Sequence, residues 1–291
     1  MKEISILSGK GGTGKTSIAA ALASVSEQAV FCDTDVDAAD LHLILDPDIK
    51  EYHQFPGGLI ASIDPESCNA CGICKEFCRF DAIHINQEGG YYINPHQCEG
   101  CRLCERICPE KAISSRHSMD NSWYVSDTRL GTLVHAKMGP GEENSGRLVS
   151  QVRKRARELA KASGARYVIN DGPPGIGCAA IASVTGTQAV LMVIEPTLSG
   201  LHDVKRLSEL VESFKIPAYA IINKYDLHIE VSTEIESWLL DRKIMLLAKI
   251  PFNEAIVEAM IQGKSFVEYD PDSEISGIMR NIWKSLSNKE I

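Results

Sequence analysis

The sequence predicts an α/β protein built on a mostly parallel sheet and interrupted by a small cysteine-rich α+β insert. Three observations carry that expectation. A strand, a glycine loop, a helix and a second strand fill the first thirty or so residues. The same α/β rhythm returns after residue 147, and between the two stretches eight of the ten cysteines repeat one spacing twice.

At 291 residues and 44% hydrophobic content, the chain can bury a full α/β core and still carry a small second module. A formal charge of −9 argues against general nucleic-acid binding, which needs a basic footprint. No stretch reaches the roughly 20 apolar residues that cross a bilayer, so no stable membrane insertion is expected. Met1 to Leu7 runs straight into the glycine loop and reads as a core strand, not a signal peptide. Cysteines in cluster spacing without an export signal point to a reducing, cytoplasmic setting.

Ile4–Ser8 reads as a buried strand, Thr16–Val25 as an alanine-rich helix and Ala29–Cys32 as a second strand, together a parallel βαβ unit. Residues 57–116 break into short pieces punctuated by Gly, Pro and Asn. They contain an internal repeat of period thirty, CNACGICKEFCRFDAIHI against CEGCRLCERICPEKAISS. With so little apolar content, that segment needs metal crosslinks to hold a fold. Residues 131–146 are glycine-rich and polar and read as a connection, with 139–146 either a gating loop or a linker. Beyond them come a helix at 148–162, strands at 167–170, 189–194, 218–222 and 246–250, and helices at 202–214, 234–240 and 254–262. A last helix puts Ile275, Ile278, Met279, Ile282, Trp283 and Leu286 on one face. Its basic residues Arg280, Lys284 and Lys289 are compatible with a membrane-surface role, but docking on the core explains the pattern more simply.

Gly9-Lys10-Gly11-Gly12-Thr13-Gly14-Lys15-Thr16, followed by Ser17, satisfies G-x-x-x-x-G-K-[ST] between a strand and a helix. Such a loop turns backbone N–H groups and a helix N-terminus onto phosphate oxygens. Lys15 would reach the β- and γ-phosphates, and the Thr16 hydroxyl would ligate Mg²⁺. Asp33 and Asp35 at the end of the second strand, and Asp171 in Asp171-Gly172-Pro173-Pro174-Gly175, are carboxylates at strand ends, where a loop-capping role is the plain alternative. Asn223-Lys224-Tyr225-Asp226 reads N-K-x-D, a base-reading pattern that leaves guanine and adenine open.

The early lysine in the loop resembles the deviant phosphate loop of the MinD/ParA family, which includes the nitrogenase iron protein. That resemblance implies an ATP-sandwiched homodimer in which Lys10 acts in trans at the partner's nucleotide. It further implies that Asp35 orients the attacking water and that Asp33 and Asp171 serve Mg²⁺ from the two switch segments. Asn223 and Pro251, the latter in Ile250-Pro251-Phe252, would then contact adenine. Cys178 stands seven residues after Asp171, a spacing similar to that of a cluster cysteine in the nitrogenase iron protein. No second matching cysteine accompanies it, so a small buried residue near the switch is expected.

Cys68, Cys71, Cys74 and Cys78, then Cys98, Cys101, Cys104 and Cys108, each follow C-x2-C-x2-C-x3-C. Zinc normally takes two C-x2-C pairs set well apart, and this tighter spacing fits a [4Fe–4S] cubane better. The pattern resembles two-cluster ferredoxins, in which the fourth cysteine serves the other cluster. By that resemblance one cluster takes Cys68, Cys71, Cys74 and Cys108, and the other takes Cys78, Cys98, Cys101 and Cys104. Arg79 stands after Cys78 where proline is usual.

The expected organisation is an ATPase domain of residues 1–58 and 117–291 with a ferredoxin-like domain, 59–116, inserted in it. The expected function is Mg²⁺-dependent ATP hydrolysis coupled to electron transfer through two [4Fe–4S] clusters. Its partner would be a redox or metallocluster-assembly protein. The rivals are a carrier that hands metalloclusters to an acceptor, and a spatial organiser with redox-sensing clusters. Arg147, Arg153, Lys154, Arg155, Arg157 and Lys161 make the helix at 148–162 basic, which suits docking of an acidic partner or DNA, but with the acidic whole it reads as a solvated face.

Overall fold

In a computed structural model of the chain, the described residues are 1–139, 142 and 145–288. Strand β1 (Lys2–Ser8) leads through the glycine loop to α1 (Lys15–Val25) and β2 (Ala29–Asp33). There follow α2 (Leu41–Leu45), β3 (Asp48–Phe55), β4 (Leu59–Ile63), α3 (Ile73–Glu76), β5 (Ile83–Ile85) and β6 (Tyr91–Ile93). Next come α4 (Leu103–Ile107), β7 (Ile113–His117), β8 (Asn121–Thr128), β9 (Gly131–Lys137), α5 (Ser145–Ser163) and β10 (Tyr167–Pro174). The chain continues with α6 (Cys178–Val184), β11 (Ala189–Ile194), α7 (Leu198–Ser213), β12 (Ala218–Asn223), α8 (Ile229–Asp241) and β13 (Met245–Ile250). It ends in α9 (Glu254–Ile261), α10 (Phe266–Tyr269) and α11 (Glu274–Ser287). Two compact units result: residues 1–53, 123–137 and 145–291 form one, and 54–122 with 138–144 form the other.

The larger sheet has the order β13-β12-β11-β1-β10-β2-β9-β8-β3. Neighbours from β13 through to β9 pair in parallel. The central strands are apolar on both faces because both are covered, as buried parallel strands require. Ile4 and Ile6 of β1 join Ile169, Leu191 and Ile221 in a core closed by α1 and α11. Leu7, on the opposite face, joins Val190, Met192, Ala220 and Ile222 in a second core closed by α7 and α8. Fully burying each such side chain contributes about 1.5–3 kcal/mol. The apolar face of α11 is spent on the first of these cores, where Ile275, Met279, Ile282 and Leu286 are buried. Lys289 lies outside the described residues. No helix among the described residues is long and apolar enough to cross a membrane.

Two expectations need correction here. Residues 131–137 are the strand β9 and not a polar connection: Leu133, Val134, His135 and Ala136 are buried, and Leu133 and Val134 pair with Phe31 and Cys32 of β2. Of the segment 139–146, Pro140, Gly141, Glu143 and Asn144 lie outside the described residues. Helix α5 does not carry a solvated basic face throughout. Arg153 is buried, its Nε donating to Glu3 Oε1 at 2.8 Å, and Arg157 reaches the same carboxylate at 3.4 Å. Arg155 pairs with Glu51 at 2.6 Å.

The smaller unit is a pair of antiparallel ribbons, β4 with β7 and β5 with β6. Its repeat is visible in the backbone. Ala70 and Gly100, Gly72 and Arg102, and Asp81 and Lys111 all adopt positive φ, at matching places thirty residues apart. Two further equivalent positions, Ala82-Ile83 and Ala112-Ile113, supply with Ala61 most of the little buried apolar surface it has.

Candidate functional site

Six adjacent parallel strands deliver their following loops to the carboxyl edge of the large sheet, where open α/β sheets bind ligands. Strand β1 delivers the glycine loop, β2 delivers Asp35, and β10 carries Asp171 near its end. Strands β11, β12 and β13 bring Glu195, Asn223 and Pro251. A cavity of about 400 Å³ lies there, within the size range of ligand pockets. Gly11, Gly12, Thr13, Gly14, Lys15, Thr16 and Ser17 form one wall, and Asp35, Asn223, Pro251 and Phe252 are among the residues opposite. Gly9, Lys10, Asp33 and Asp171 are not among the residues that line it.

Gly12 and Gly14 turn the loop with φ of 78° and 86°, a conformation that costs a side-chain-bearing residue about 1–2 kcal/mol. Gly14 is also required sterically, since a Cβ there would stand 2.4 Å from Asn223 Nδ2. Helix α1 then opens with no side-chain cap, so its first N–H groups remain free for an anion.

Behind the loop, Lys15 Nζ sits 3.2 Å from Asp171 Oδ1 and 3.4 Å from Asp35 Oδ2. Burial alone would depress the Lys15 pKa, but the carboxylates of Asp171, Asp35 and Asp33 outweigh it and raise it. Burial pushes Asp33 well above the usual carboxylate range, and the neighbouring Asp171 adds to this against Lys15. Asp33 is fixed by accepting from the backbone N–H of Asp35 and of Leu41, both at 3.1 Å. Burial raises Asp35 too, with Lys15 opposing. Three carboxylates thus face one ammonium, and the surplus negative charge is what a divalent cation would cancel. Asp171 Oδ2 and Thr13 Oγ1 are buried without a hydrogen-bond partner, which fits an ion and a phosphate as their missing neighbours.

On the base side, Asn223 Nδ2 donates to Thr13 O at 2.8 Å while Asn223 Oδ1 is a buried acceptor with no donor. Asp226 Oδ1 accepts from Phe252 N at 2.7 Å and so ties down the Pro251–Phe252 segment. Sequence reasoning missed Glu195, Thr197 and Lys224. Lys10 Nζ lies 2.8 Å from Glu195 Oε2 and 3.0 Å from Thr197 Oγ1, all within one chain. Lys224 Nζ meets Glu195 Oε1 at 2.9 Å and Gly12 O at 3.1 Å. Only the lysine of N-K-x-D carried any sequence signal for this arrangement.

In the smaller unit the eight cysteines line two cavities. One contains Cys68, Cys71, Cys74 and Cys108; the other contains Cys78, Cys98, Cys101 and Cys104. Each therefore draws three cysteines from one repeat and the last from the other. Paired positive-φ residues flank Cys71 and Cys101, Ala70 with Gly72 and Gly100 with Arg102, so both loops make the same turn. Ala112 N donates to Cys108 Sγ at 3.4 Å. Burial pushes the Cys104 thiol up to about 11, so thiolates here need a cationic partner. Among the described residues, no three His, Cys, Asp or Glu side chains converge to hold a single metal ion. All ten cysteines are free of disulfides, and Cys178, expected buried, is instead exposed at the first turn of α6.

The glycine loop, the buried lysine among carboxylates and the carboxyl-edge cavity define a P-loop nucleotide-binding protein of α/β class. Comparison with known families makes this particular: residues 4–266 match the CobQ/CobB/MinD/ParA nucleotide binding domain, and the chain belongs to that family of P-loop ATPases. An uncharacterised protein of Methanocaldococcus jannaschii is 35% identical over 226 residues, covering 76% of this chain and 78% of that protein. Among solved structures, the septum site-determining protein MinD of Pyrococcus horikoshii, complexed with Mg-ADP, superposes with a TM-score of 0.58 at 18% identity. That match covers 99% of this chain and 96% of the other. A chain of the MinC:MinD cell division protein complex of Aquifex aeolicus gives 0.58 at 19% identity over 100% and 97%. At such identities the likeness is one of fold.

Proposed function

We propose that this ATPase carries two [4Fe–4S] clusters on its cysteine unit and couples its nucleotide state to electron transfer toward a partner protein. The observation that supports this reading is the sharing of cysteines between repeats, three and one in each cavity, at loops that repeat the same positive-φ turns. Cys68, Cys71, Cys74 and Cys108 would hold one cluster, and Cys78, Cys98, Cys101 and Cys104 the other. When bound, such clusters supply one-electron chemistry. The four-cysteine donor set of each cavity suits them.

At the nucleotide, Thr16, Asp33 and Asp171 would hold Mg²⁺, directly or through water. Gly9, Gly11–Gly14, Lys15 and Ser17 would cradle the phosphates, Asp35 would orient water, and Asn223 and Pro251 would take adenine. Lys10 would complete the site of a second copy, making the working unit a cytoplasmic homodimer; MinD of the solved neighbours bound Mg-ADP. Such a device needs only that ATP favour one of two conformations. The partner would be a redox or metallocluster-assembly protein.

The test is anaerobic purification followed by iron and sulfide analysis and ATP hydrolysis by oxidised and dithionite-reduced protein. Iron and sulfide sufficient for two cubanes, with turnover that differs between redox states, is the expected result. Zinc in place of iron would end the cluster reading. Redox-independent turnover with ATP-dependent binding to liposomes would favour the spatial organiser.

A further inference from the structure

We propose that Glu195 is a positioning residue that holds Lys10 within its own chain and yields it when a nucleoside triphosphate arrives. The inference rests on the reading of Lys10 as the lysine that serves a second copy's nucleotide.

Glu195 follows β11 at the carboxyl edge, and its two oxygens are divided between two lysines. Oε2 takes Lys10 at 2.8 Å and Oε1 takes Lys224 at 2.9 Å. Lys224 also donates to Gly12 O at 3.1 Å, so the carboxylate is linked to the phosphate loop through one lysine while restraining the other. Lys10 is steered further by Thr197 Oγ1 at 3.0 Å. That hydroxyl accepts from Gly200 N at 2.9 Å as the N-cap of α7.

The seat is rigid. A Cβ on Gly200 would lie 2.3 Å from Glu195 O, and one on Gly9 would lie 2.5 Å from Asp203 Cβ, so loop and helix meet without slack. The Glu195 side chain is 16% exposed and Lys10 27%. The pair is therefore shielded more than a surface ion pair, yet open enough to exchange.

Lys224 lines the nucleotide cavity and Lys10 does not. A triphosphate placed in that cavity repels Glu195 and attracts both ammonium groups. The carboxylate is thus a stand-in anion whose hold weakens when the real one binds. Lys10 is then free to turn away from its own chain.

The test compares Glu195→Gln, Glu195→Asp and Lys10→Ala for Mg-ATP-dependent dimerisation, measured by light scattering across protein concentration. Glu195→Gln keeps the shape and removes the charge, and should dimerise at about three- to tenfold lower concentration than the unaltered chain. Glu195→Asp keeps the charge and should stay within about twofold of it. Lys10→Ala should fail to dimerise. If Lys10→Ala fails while Glu195→Gln dimerises no more readily than the unaltered chain, the role of Glu195 is overturned and that of Lys10 stands. If Lys10→Ala dimerises normally, both fall.

Discussion

Lys15 Nζ lies 3.2 Å from Asp171 Oδ1, inside a chain where the two residues are 156 positions apart. The contact joins the phosphate loop after β1 to the end of β10, neighbours in the sheet. It places a buried ammonium among three acids, with the second Asp171 oxygen left over.

Asp171→Asn should therefore weaken Mg-nucleotide binding much more than metal-free nucleotide binding. A loss of about 10- to 100-fold in Mg²⁺ affinity is expected, the usual effect of altering a residue that acts on a metal through its ligands. Titration of a fluorescent nucleotide with and without Mg²⁺ measures it. Equal losses in both series would show that Asp171 does not serve the metal.

The buried pair Glu3–Arg153 should matter for folding. Arg153 also donates to the carbonyls of Ala182 and Thr185, clamping α5 to the end of α6. Glu3→Gln strands a buried guanidinium, and its cost should be about 3–5 kcal/mol in urea unfolding. A change under about 1 kcal/mol would mean that the Ala182 and Thr185 carbonyls with solvent satisfy the guanidinium without the charge.

A pH dependence follows from His135. Burial, with the neighbouring His42, lowers its pKa from 6.5 to about 4. It stacks on Tyr124 at 4.9 Å and meets Ser126 Oγ at 3.0 Å through Nε2. Between those two pH values the unfolded chain binds the proton and the folded chain does not. Stability should fall as pH drops from about 6.5 towards 4, by roughly 3 kcal/mol in all. His135→Phe should flatten that part of the profile, and an unchanged slope would assign it to other groups.

The crossed sharing of cysteines can be read from double variants. Cys71→Ser with Cys108→Ser strikes one cavity and should cost one cluster, so iron falls by about half. Cys71→Ser with Cys78→Ser strikes both and should remove nearly all of it. The reverse ranking would mean that each repeat holds its own cluster.

Much of this was legible in the sequence, and the rest was hidden for identifiable reasons. The runs AVLMVI and AYAII are apolar without interruption, ISIL is broken only by Ser5, and all three announce buried parallel strands. Strand β3, DIKEYHQF, is an exposed edge strand full of charge and gives no such run. Strand β9 begins at Gly131 and reads as a linker in the sequence because glycine and polar residues flank its four buried positions. Helices α2 and α6 are only 5 and 7 residues long, too short to show a period. The glycine loop and the cysteine repeats are local, so their residues are found by spacing. Glu195 and Lys10 stand far apart in sequence, and nothing in Ile194-Glu195-Pro196-Thr197 announces a partner for a loop lysine.

The most direct measurement is the reduction potential of the anaerobic, cluster-loaded protein with and without Mg-ATP. By reciprocity, a nucleotide that binds one redox state tenfold more tightly must move the potential by about 59 mV. A shift of that order, abolished in Lys15→Ala, is the expected result. Superimposable titrations under saturating Mg-ATP would contradict the coupling of nucleotide state to electron transfer.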